Sequence, residues 1–426
     1  MHRFQYVKGH LWVEEVPIQK IAQQHGTPLY IYSANTIRDN YNRLAYALSV
    51  LPYQICYAMK ANSNLSIVRE LVRLGSGFDV TSAGELYRVI EAGGDPGRCT
   101  FVGVGKSTEE IEYGLREGIY SFIVESEAEL EHIERIARRL RKSAPFALRV
   151  NPNVDAHTHK KITTGLYENK FGIPYEAIEP IYRRAARSRY LKARGVQIHI
   201  GSQITDVTPF EKAVTKMLPL VHSLKDRYGI EFFDIGGGMG IVYHDALASG
   251  KPEWWKARPE MFTPELYASR LIKHLLPLNI KILLEPGRYI VGNSGIIVTQ
   301  VLYIKKNISK TFAIVDAAMT ELIRPTLYEA YHEIVPLRKA SASATKILYD
   351  VVGPVCESGD YLAKARALPK LKVGDYLAIL STGAYGFVMA SNYNARPRPA
   401  ELLVDGKQVK VARRRETLKD LIRGEI

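Results

Sequence analysis

Between about residues 53 and 290 the chain repeats one pattern, a short apolar or β-branched run followed by an amphipathic helical stretch. The strand candidates are Gln54–Met59, Phe78–Thr81, Thr100–Val104, Ser121–Val124, Phe146–Val150, Gly195–Ile200, Phe232–Ile235 and Ile282–Leu284. Helical stretches between them include Ser66–Leu74, Ala83–Ala92, Glu127–Leu140 and Phe210–Asp226. Such alternation predicts parallel strands joined by right-handed crossovers. Eight units in roughly 240 residues are the size of a closed (β/α)8, TIM-like barrel. An open doubly wound sheet is the alternative, and it usually carries a glycine-rich loop after its first strand. Here the first strand runs into Met59-Lys60-Ala61-Asn62, which has no glycine, so the barrel is expected.

Past residue 290 the pattern changes. Ile296–Ile304, Thr311–Val315, Ala344–Val352 and Tyr376–Leu380 read as strands, and helical periodicity is scarce until Thr417–Arg423. Turn signals are frequent, among them Lys306-Asn307, Gly353-Pro354 and Asp405-Gly406. The segment Phe4–Trp12 also reads as a strand. The expected organisation is a (β/α)8 barrel over residues 34–290, followed by a C-terminal β-barrel domain. That second, β-rich domain is discontinuous and covers residues 1–33 and 291–426. At 426 residues the chain exceeds one ordinary domain, which agrees.

Charge and cysteine content exclude several classes. No apolar run is long enough to span a bilayer. The start, Met-His-Arg-Phe-Gln, has no apolar signal core, so a cytoplasmic protein without membrane association is expected. Three cysteines, Cys56, Cys99 and Cys356, suit a reducing compartment rather than a disulfide framework. No Cys/His cluster has metal-ligand spacing, and His157 and His159 are too isolated to suggest one, so no metal is expected. The net charge of +14 could attract nucleic acid. The basic residues are scattered apart from two runs, residues 138–142 and 413–415. Both read as solvated faces, so no nucleic-acid partner is expected.

The polar residues fall where a barrel concentrates chemistry, at the C-terminal ends of its strands. Lys60 follows the first strand. Asp79 and Ser82 lie at the second, and Asn151 and Asn153 follow the fifth. His199, Gly201 and Ser202 end the sixth, Gly236-Gly237-Gly238 ends the seventh, and Glu285-Pro286-Gly287-Arg288 ends the eighth. A lysine in a partly desolvated mouth is available as a nucleophile, although an isolated loop lysine is commonly just exposed. Consecutive glycines let backbone N–H groups converge on an anion, or simply make a tight turn. A lone histidine such as His199 is more often a core residue. Glu285 could be a structural carboxylate, or could keep a pyridine nitrogen protonated. Arg288 offers a fork for a carboxylate. Cys56 and Cys99 lie in apolar runs and read as core, whereas Cys356 sits in a polar, turn-like segment.

Taken together, these residues resemble the fold-type III, alanine-racemase-like pyridoxal phosphate enzymes, and within them the diaminopimelate decarboxylase family. The resemblance is carried by Tyr57-Ala58-Met59-Lys60-Ala61-Asn62, by residues 78–85 (Phe-Asp-Val-Thr-Ser-Ala-Gly-Glu) and by residues 151–159 (Asn-Pro-Asn-Val-Asp-Ala-His-Thr-His). It continues through Lys170-Phe171-Gly172, His199-Ile200-Gly201-Ser202-Gln203, Asp234-Ile235-Gly236-Gly237-Gly238 and Glu285-Pro286-Gly287-Arg288. In the β-rich part it rests on Ile323-Arg324-Pro325-Thr326-Leu327-Tyr328, Cys356-Glu357-Ser358-Gly359-Asp360 and Gly383-Ala384-Tyr385-Gly386. The only departure is mild: Val80-Thr81-Ser82-Ala83 replaces the Ala/Ser-rich wording common in the family.

What the resemblance implies is specific. Lys60 would carry pyridoxal 5'-phosphate as a Schiff base, and His199 would stack on its ring. Ser202, Gly236, Gly237, Gly238, Gly287, Arg288 and Tyr385 would hold it, with Glu285 facing the ring nitrogen. Arg288, Arg324, Tyr328, Glu357 and Tyr385 would bind the amino-acid substrate, and Cys356 would be the proton donor. The implied assembly is a homodimer with shared active sites, Cys356 and Glu357 coming from the partner. The implied reaction is decarboxylation of meso-2,6-diaminopimelate to L-lysine, the last step of lysine biosynthesis. Decarboxylation of ornithine, arginine or a carboxylated polyamine is the alternative within the same chemistry. A non-catalytic cofactor carrier would not need the β-rich domain or residues 356–360.

Overall fold

The structure is a computed structural model that describes residues 2–155, 170–341 and 343–426. It divides into two compact units. One holds residues 41–240 and 260–289; the other holds residues 1–40, 241–259 and 290–426.

The first unit is a closed parallel barrel. Its strands are Tyr53–Ala58, Gly77–Val80, Cys99–Phe101, Ser121–Val124, Ala144–Asn151, Leu191–Ile198, Phe232–Asp234 and Lys281–Leu284. Each pairs in parallel with the next in sequence, and the eighth returns to the first through Ile282↔Tyr53, Leu283↔Gln54 and Leu284↔Ile55. The two-residue strand Ile173–Pro174 pairs in parallel with the C-terminal end of the fifth. The (β/α)8 expectation therefore holds, and each expected strand overlaps an observed one. Inside the barrel, Cys56, Val102, Tyr120, Ile123, Ala147, Phe232 and Leu283 form one buried apolar cluster.

A repeated local signal starts the helices after the second, third and fourth strands. Ser82, Ser107 and Ser126 each accept a bond from the backbone N–H three residues on, at Glu85, Glu110 and Glu129. Each glutamate then folds back onto backbone. Glu110 accepts from Ser107 N, while Glu85 and Glu129 reach one residue further to Thr81 N and Glu125 N. Serine followed three residues later by glutamate thus satisfies donors that a helix start leaves open. This spacing fixes where each strand stops and leaves the mouth residues on short, ordered turns.

The second unit is built on a mixed sheet, in keeping with the β-rich domain expected. Its path runs Tyr361–Pro369, Lys346–Val352, Thr311–Val315, Gly295–Lys306, Leu29–Ser33, Ala400–Asp405 and Gln408–Arg413. Tyr376–Ile379 pairs with the long strand Gly295–Lys306 and with Ile334–Pro336. The stretch Phe4–Trp12 is two strands, not one. Phe4–Val7 and His10–Val13 form a hairpin, and Val16–Pro17 completes a separate three-stranded sheet. The turn residues Lys8 and Gly9 both have positive φ, at 48° and 80°. The N-terminal strand that does enter the large sheet is Leu29–Ser33, antiparallel to residues 295–298 and parallel to residues 400–404. One core joins these parts, with Leu11, Ile18, Leu29, Ile31, Val298, Ala378 and Leu402 among its buried members.

Candidate active site

In the barrel unit, the mouth is built from strand ends. Lys60 lies on a single 3-10 turn, Met59–Ala61, directly after the first strand. Its Nζ is 2.5 Å from Asp79 Oδ2, and Asp79 is fully buried on the second strand while Lys60 stays partly exposed. Ala58 N donates to Pro286 O at 3.2 Å, tying the lysine's turn to the loop after the eighth strand. A β-carbon on Gly287 would stand 2.8 Å from Ala61 Cβ, so that loop requires glycine where it crosses the lysine turn.

Two further carboxyls share this interior. Glu285 and Asp234 are buried at the ends of the eighth and seventh strands. Gln197 Nε2, from the sixth, donates to both carboxyl oxygens of Glu285 at 3.1 Å. Asp234 Oδ1 accepts from Gly236 N at 2.8 Å, and its carboxyl also shares a hydrogen bond with that of Glu285. Burial holds the Glu285 carboxyl well above the usual range, and the charges of Asp234 and Asp79 push the same way. Burial likewise lifts Asp234 to about 7. Three buried carboxyls around one lysine amine make a site that suits a second positive charge.

The triple glycine forms a cradle. Gly236 and Gly238 have φ of 72° and 106°, conformations costly for any side chain. A β-carbon on Gly236 would run into Ile198 O, on Gly237 into Glu285 O, and on Gly238 would come within 2.5 Å of Gly201 O. His199 Nδ1 accepts from Gly237 N at 3.1 Å, so its proton sits on Nε2. Burial, with Arg149 and Lys60 nearby, lowers its pKa well below the usual value, and the imidazole is neutral. Arg288 Nη2 donates to Ser202 Oγ at 3.0 Å, bringing the loops after the sixth and eighth strands together.

Behind the mouth lie buried ion pairs that sequence reasoning passed over. Arg149 Nη1 meets Glu125 Oε1 at 2.7 Å, and Glu125 Oε2 accepts from Gly172 N. Lys106 Nζ binds Gly103 O, Ile123 O and Glu129 Oε1 at 2.7–2.8 Å. Gln197, Asp234 and Arg149 were also missed as site residues. Their signal was present: each is a polar residue inside an otherwise apolar strand run.

The second unit holds the other expected residues. Arg324 is buried at the start of the short helix Arg324–Tyr328. Thr326 Oγ1 donates to Gly359 O at 2.6 Å, and Tyr361 Oη to Pro325 O at 3.0 Å. The helix bearing Arg324 and Tyr328 is thereby pinned to the segment bearing Cys356 and Glu357. Asp360 fixes that segment by accepting from Met319 N and Val355 N. Cys356 is exposed, as is Glu357, whereas Cys56 and Cys99 are buried. Tyr385 adopts φ 55° between Ala384 and Gly386. His157 and His159 lie outside the described residues. Among the described residues no cluster of metal-ligating side chains occurs, and no helix is long and apolar enough to cross a membrane.

Known proteins share this arrangement. The pyridoxal-binding domain of the pyridoxal-dependent decarboxylases matches residues 34–292. Diaminopimelate decarboxylase of Vibrio cholerae is 46% identical over 423 residues, covering 99% of this chain and 98% of that protein. The chain belongs to the diaminopimelate decarboxylase family. Two solved family members agree in fold. The Helicobacter pylori enzyme, complexed with L-lysine, has a TM-score of 0.88 at 42% identity, covering 95% of this chain and 98% of that one. The M. jannaschii enzyme, also with L-lysine, has a TM-score of 0.90 at 37% identity, covering 99% and 97%. As a family member the chain is a pyridoxal phosphate-dependent carboxy-lyase. The residues present fit that cofactor: a glycine cradle for a phosphate, a carboxyl-rich interior for a ring nitrogen, and an amine beside them.

Proposed function

We propose that the protein removes one carboxylate from meso-2,6-diaminopimelate, giving L-lysine and carbon dioxide, as the last step of lysine biosynthesis. We further propose that it works in the cytoplasm as a homodimer with shared active sites. Bound pyridoxal phosphate supplies an electron-withdrawing ring that takes up the electron pair left when carbon dioxide departs. The chain's residues do the rest. Lys60 Nζ is the amine that holds the cofactor, and Asp79 keeps that amine in place. Gly236, Gly237, Gly238, Ser202, Arg288 and Gly287 would hold the phosphate end, and Tyr385 is a further residue for cofactor and substrate. Glu285, its carboxyl fixed by Gln197 and neighboured by the negative charge of Asp234, would keep the ring nitrogen protonated. His199, neutral and oriented by Gly237, would hold the ring. Cys356 of the partner subunit delivers the proton to the carbon that loses its carboxylate. Glu357 of the partner subunit takes the distal ammonium.

Substrate choice follows from charge. Diaminopimelate keeps an ammonium and a carboxylate at its distal end. Arg288, Arg324 and Tyr328 suit that carboxylate, whereas two guanidiniums would repel the bare distal ammonium of ornithine. The observation that supports this most directly is Arg324, buried in the second unit with its guanidinium over the Tyr243 ring. Side-by-side assays of diaminopimelate, ornithine and arginine test the reading. Carbon dioxide release from diaminopimelate is expected, with the cofactor trapped on Lys60 by borohydride. Turnover of ornithine but not of diaminopimelate would overturn it.

A further inference from the structure

We propose that His332 is a positioning residue for substrate selection, which sets the direction of the Arg324 fork by accepting a hydrogen bond from its Nε. The inference rests on the assignment of Arg324 to the distal carboxylate and adds what holds it there.

The backbone brings the two side chains together. Helix Arg324–Tyr328 is closed by Glu329 in the left-handed conformation, φ 52°. Ala330 N then bonds back to Arg324 O at 3.3 Å, and the chain reverses beneath the helix. Arg366 Nη1 donates to His332 O at 2.7 Å and anchors the returning segment. His332 is fully buried and Arg324 is 6% exposed.

The imidazole has one arrangement that satisfies both of its contacts. His332 Nδ1 lies 2.9 Å from Leu380 O, a carbonyl that can only accept, so Nδ1 carries the proton. Nε2 then presents a lone pair, and Arg324 Nε donates to it at 3.3 Å. An arginine can meet a carboxylate side-on, through Nε and one Nη, or end-on, through both Nη groups. Committing Nε to His332 selects the end-on fork. Tyr243 completes the clamp: its ring takes the Arg324 guanidinium on its face at 5.2 Å and meets His332 edge-on, at 83° and 5.2 Å. Two side chains from separate segments, His332 and Tyr243, thus fix one guanidinium plane. A carboxylate presented at the wrong angle, or replaced by an ammonium, does not match that plane.

The test compares three variants of the holoenzyme with the wild type. His332→Leu removes both polar contacts. His332→Asn reaches Leu380 O but is too short for Arg324. His332→Gln places an amide oxygen near the former Nε2. The Leu and Asn variants are expected to raise KM for diaminopimelate at least tenfold while kcat changes less than fivefold. Inhibition by L-lysine, which retains the distal carboxylate, should weaken in step. Inhibition by cadaverine, which is lysine without that carboxylate, should stay within twofold. His332→Gln should restore KM to within about threefold. A structural role alone would weaken lysine and cadaverine together and would not be rescued by Gln, and either result overturns the proposal. Should Leu not fold in the core, the polar Asn variant carries the same comparison. If Arg324→Ala leaves KM unchanged, the substrate assignment itself has failed. If Arg324→Ala raises KM but His332→Asn does not, only the positioning role falls.

Discussion

Asparagine at position 234 would remove one of three buried carboxyls while keeping the shape of the site. Asp234 is fully buried, and its Oδ1 bond from Gly236 N is one that asparagine retains. In the unfolded chain this carboxyl loses its proton near 3.8; in the folded protein burial holds the proton until about 7. Between those values the native state binds more protons than the unfolded one. Stability from this group is therefore greatest below about pH 4 and declines as pH rises toward 7. A difference of about three pH units at ~1.4 kcal/mol each caps the loss at about 4 kcal/mol. Asp234→Asn does not titrate, so the cofactor-free variant should unfold at higher urea than cofactor-free wild type at pH 7. At pH 4 the two should agree to within about 1 kcal/mol, because the wild-type carboxyl is then neutral as well. Urea unfolding at intervals from about pH 4 to about pH 7.5 reads the difference in slope. Parallel slopes for the two proteins would refute the claim that the buried carboxyl carries this cost. In the holoenzyme the same substitution should weaken cofactor binding, since it deletes negative charge that suits a protonated ring.

Other changes test separate parts of the site. Gly237→Ala puts a β-carbon against the backbone of Glu285, 3.0 Å from its carbonyl carbon, with no flexible atom to give way. Overpacking of about 1–3 kcal/mol should weaken pyridoxal phosphate binding roughly 5- to 150-fold in a fluorescence titration, and wild-type affinity would dismiss the cradle. Arg149→Met strands Glu125 in the interior and should cost about 3–5 kcal/mol, seen as a lower urea midpoint, whereas an unchanged midpoint would mean that Glu125 finds another cation. Arg324→Ala should lower kcat/KM for diaminopimelate by about 30-fold or more, the equivalent of a lost charge-assisted contact of about 2–5 kcal/mol, and unchanged kcat/KM would sink its role. Cys356→Ala should lower kcat by about 10²-fold or more with little change in KM, and unaltered turnover would leave the proton to another donor.

The barrel was legible because its strands are buried on both faces and so read as continuous apolar runs. The boundaries drifted for a physical reason. Leu191–Ile198 starts four residues before the expected Gly195, because Lys192 and Arg194 open it. Both pair with Glu231 outside the apolar interior, so hydropathy hides them. The second unit was harder. Leu29–Ser33 and Ala400–Asp405 are distant in sequence yet run side by side in parallel. No local pattern announces such a pairing, and its register is fixed only by the assembled core. Tyr361–Pro369 and Gln408–Arg413 each carry one exposed lysine, Lys364 and Lys410, and one part-exposed arginine, Arg366 and Arg413, so their apolar face is interrupted. The motif Tyr57–Asn62 and the triple glycine pointed to a cofactor end only through their places at the expected strand ends and through the family resemblance. What they could not show is why the site is electrostatically unusual. That depends on Asp79, Asp234 and Glu285 converging from three strands.

On the proposed residue roles, recognition of the distal carboxylate and the chemistry at Lys60 should be separable in this enzyme. The amine, the carboxyl interior and the glycine cradle all belong to the barrel unit, on turns held by strand ends that neighbour one another in the sheet. Their geometry follows from barrel closure, and a change there alters whether any amino acid reacts. Arg324, His332 and Tyr243 belong to the other unit, where contacts join short segments separated by loops. Arg324 gains its direction from a histidine eight residues on, whose own proton is fixed by Leu380 O. A guanidinium set in that way should recognise a carboxylate by angle as well as by charge. Removing the histidine contact should leave the charge in place and blur the angle. Discrimination between lysine and cadaverine should therefore fall before the capacity to decarboxylate does. Loss of decarboxylation with discrimination intact would mean that the two units do not divide the work in this way.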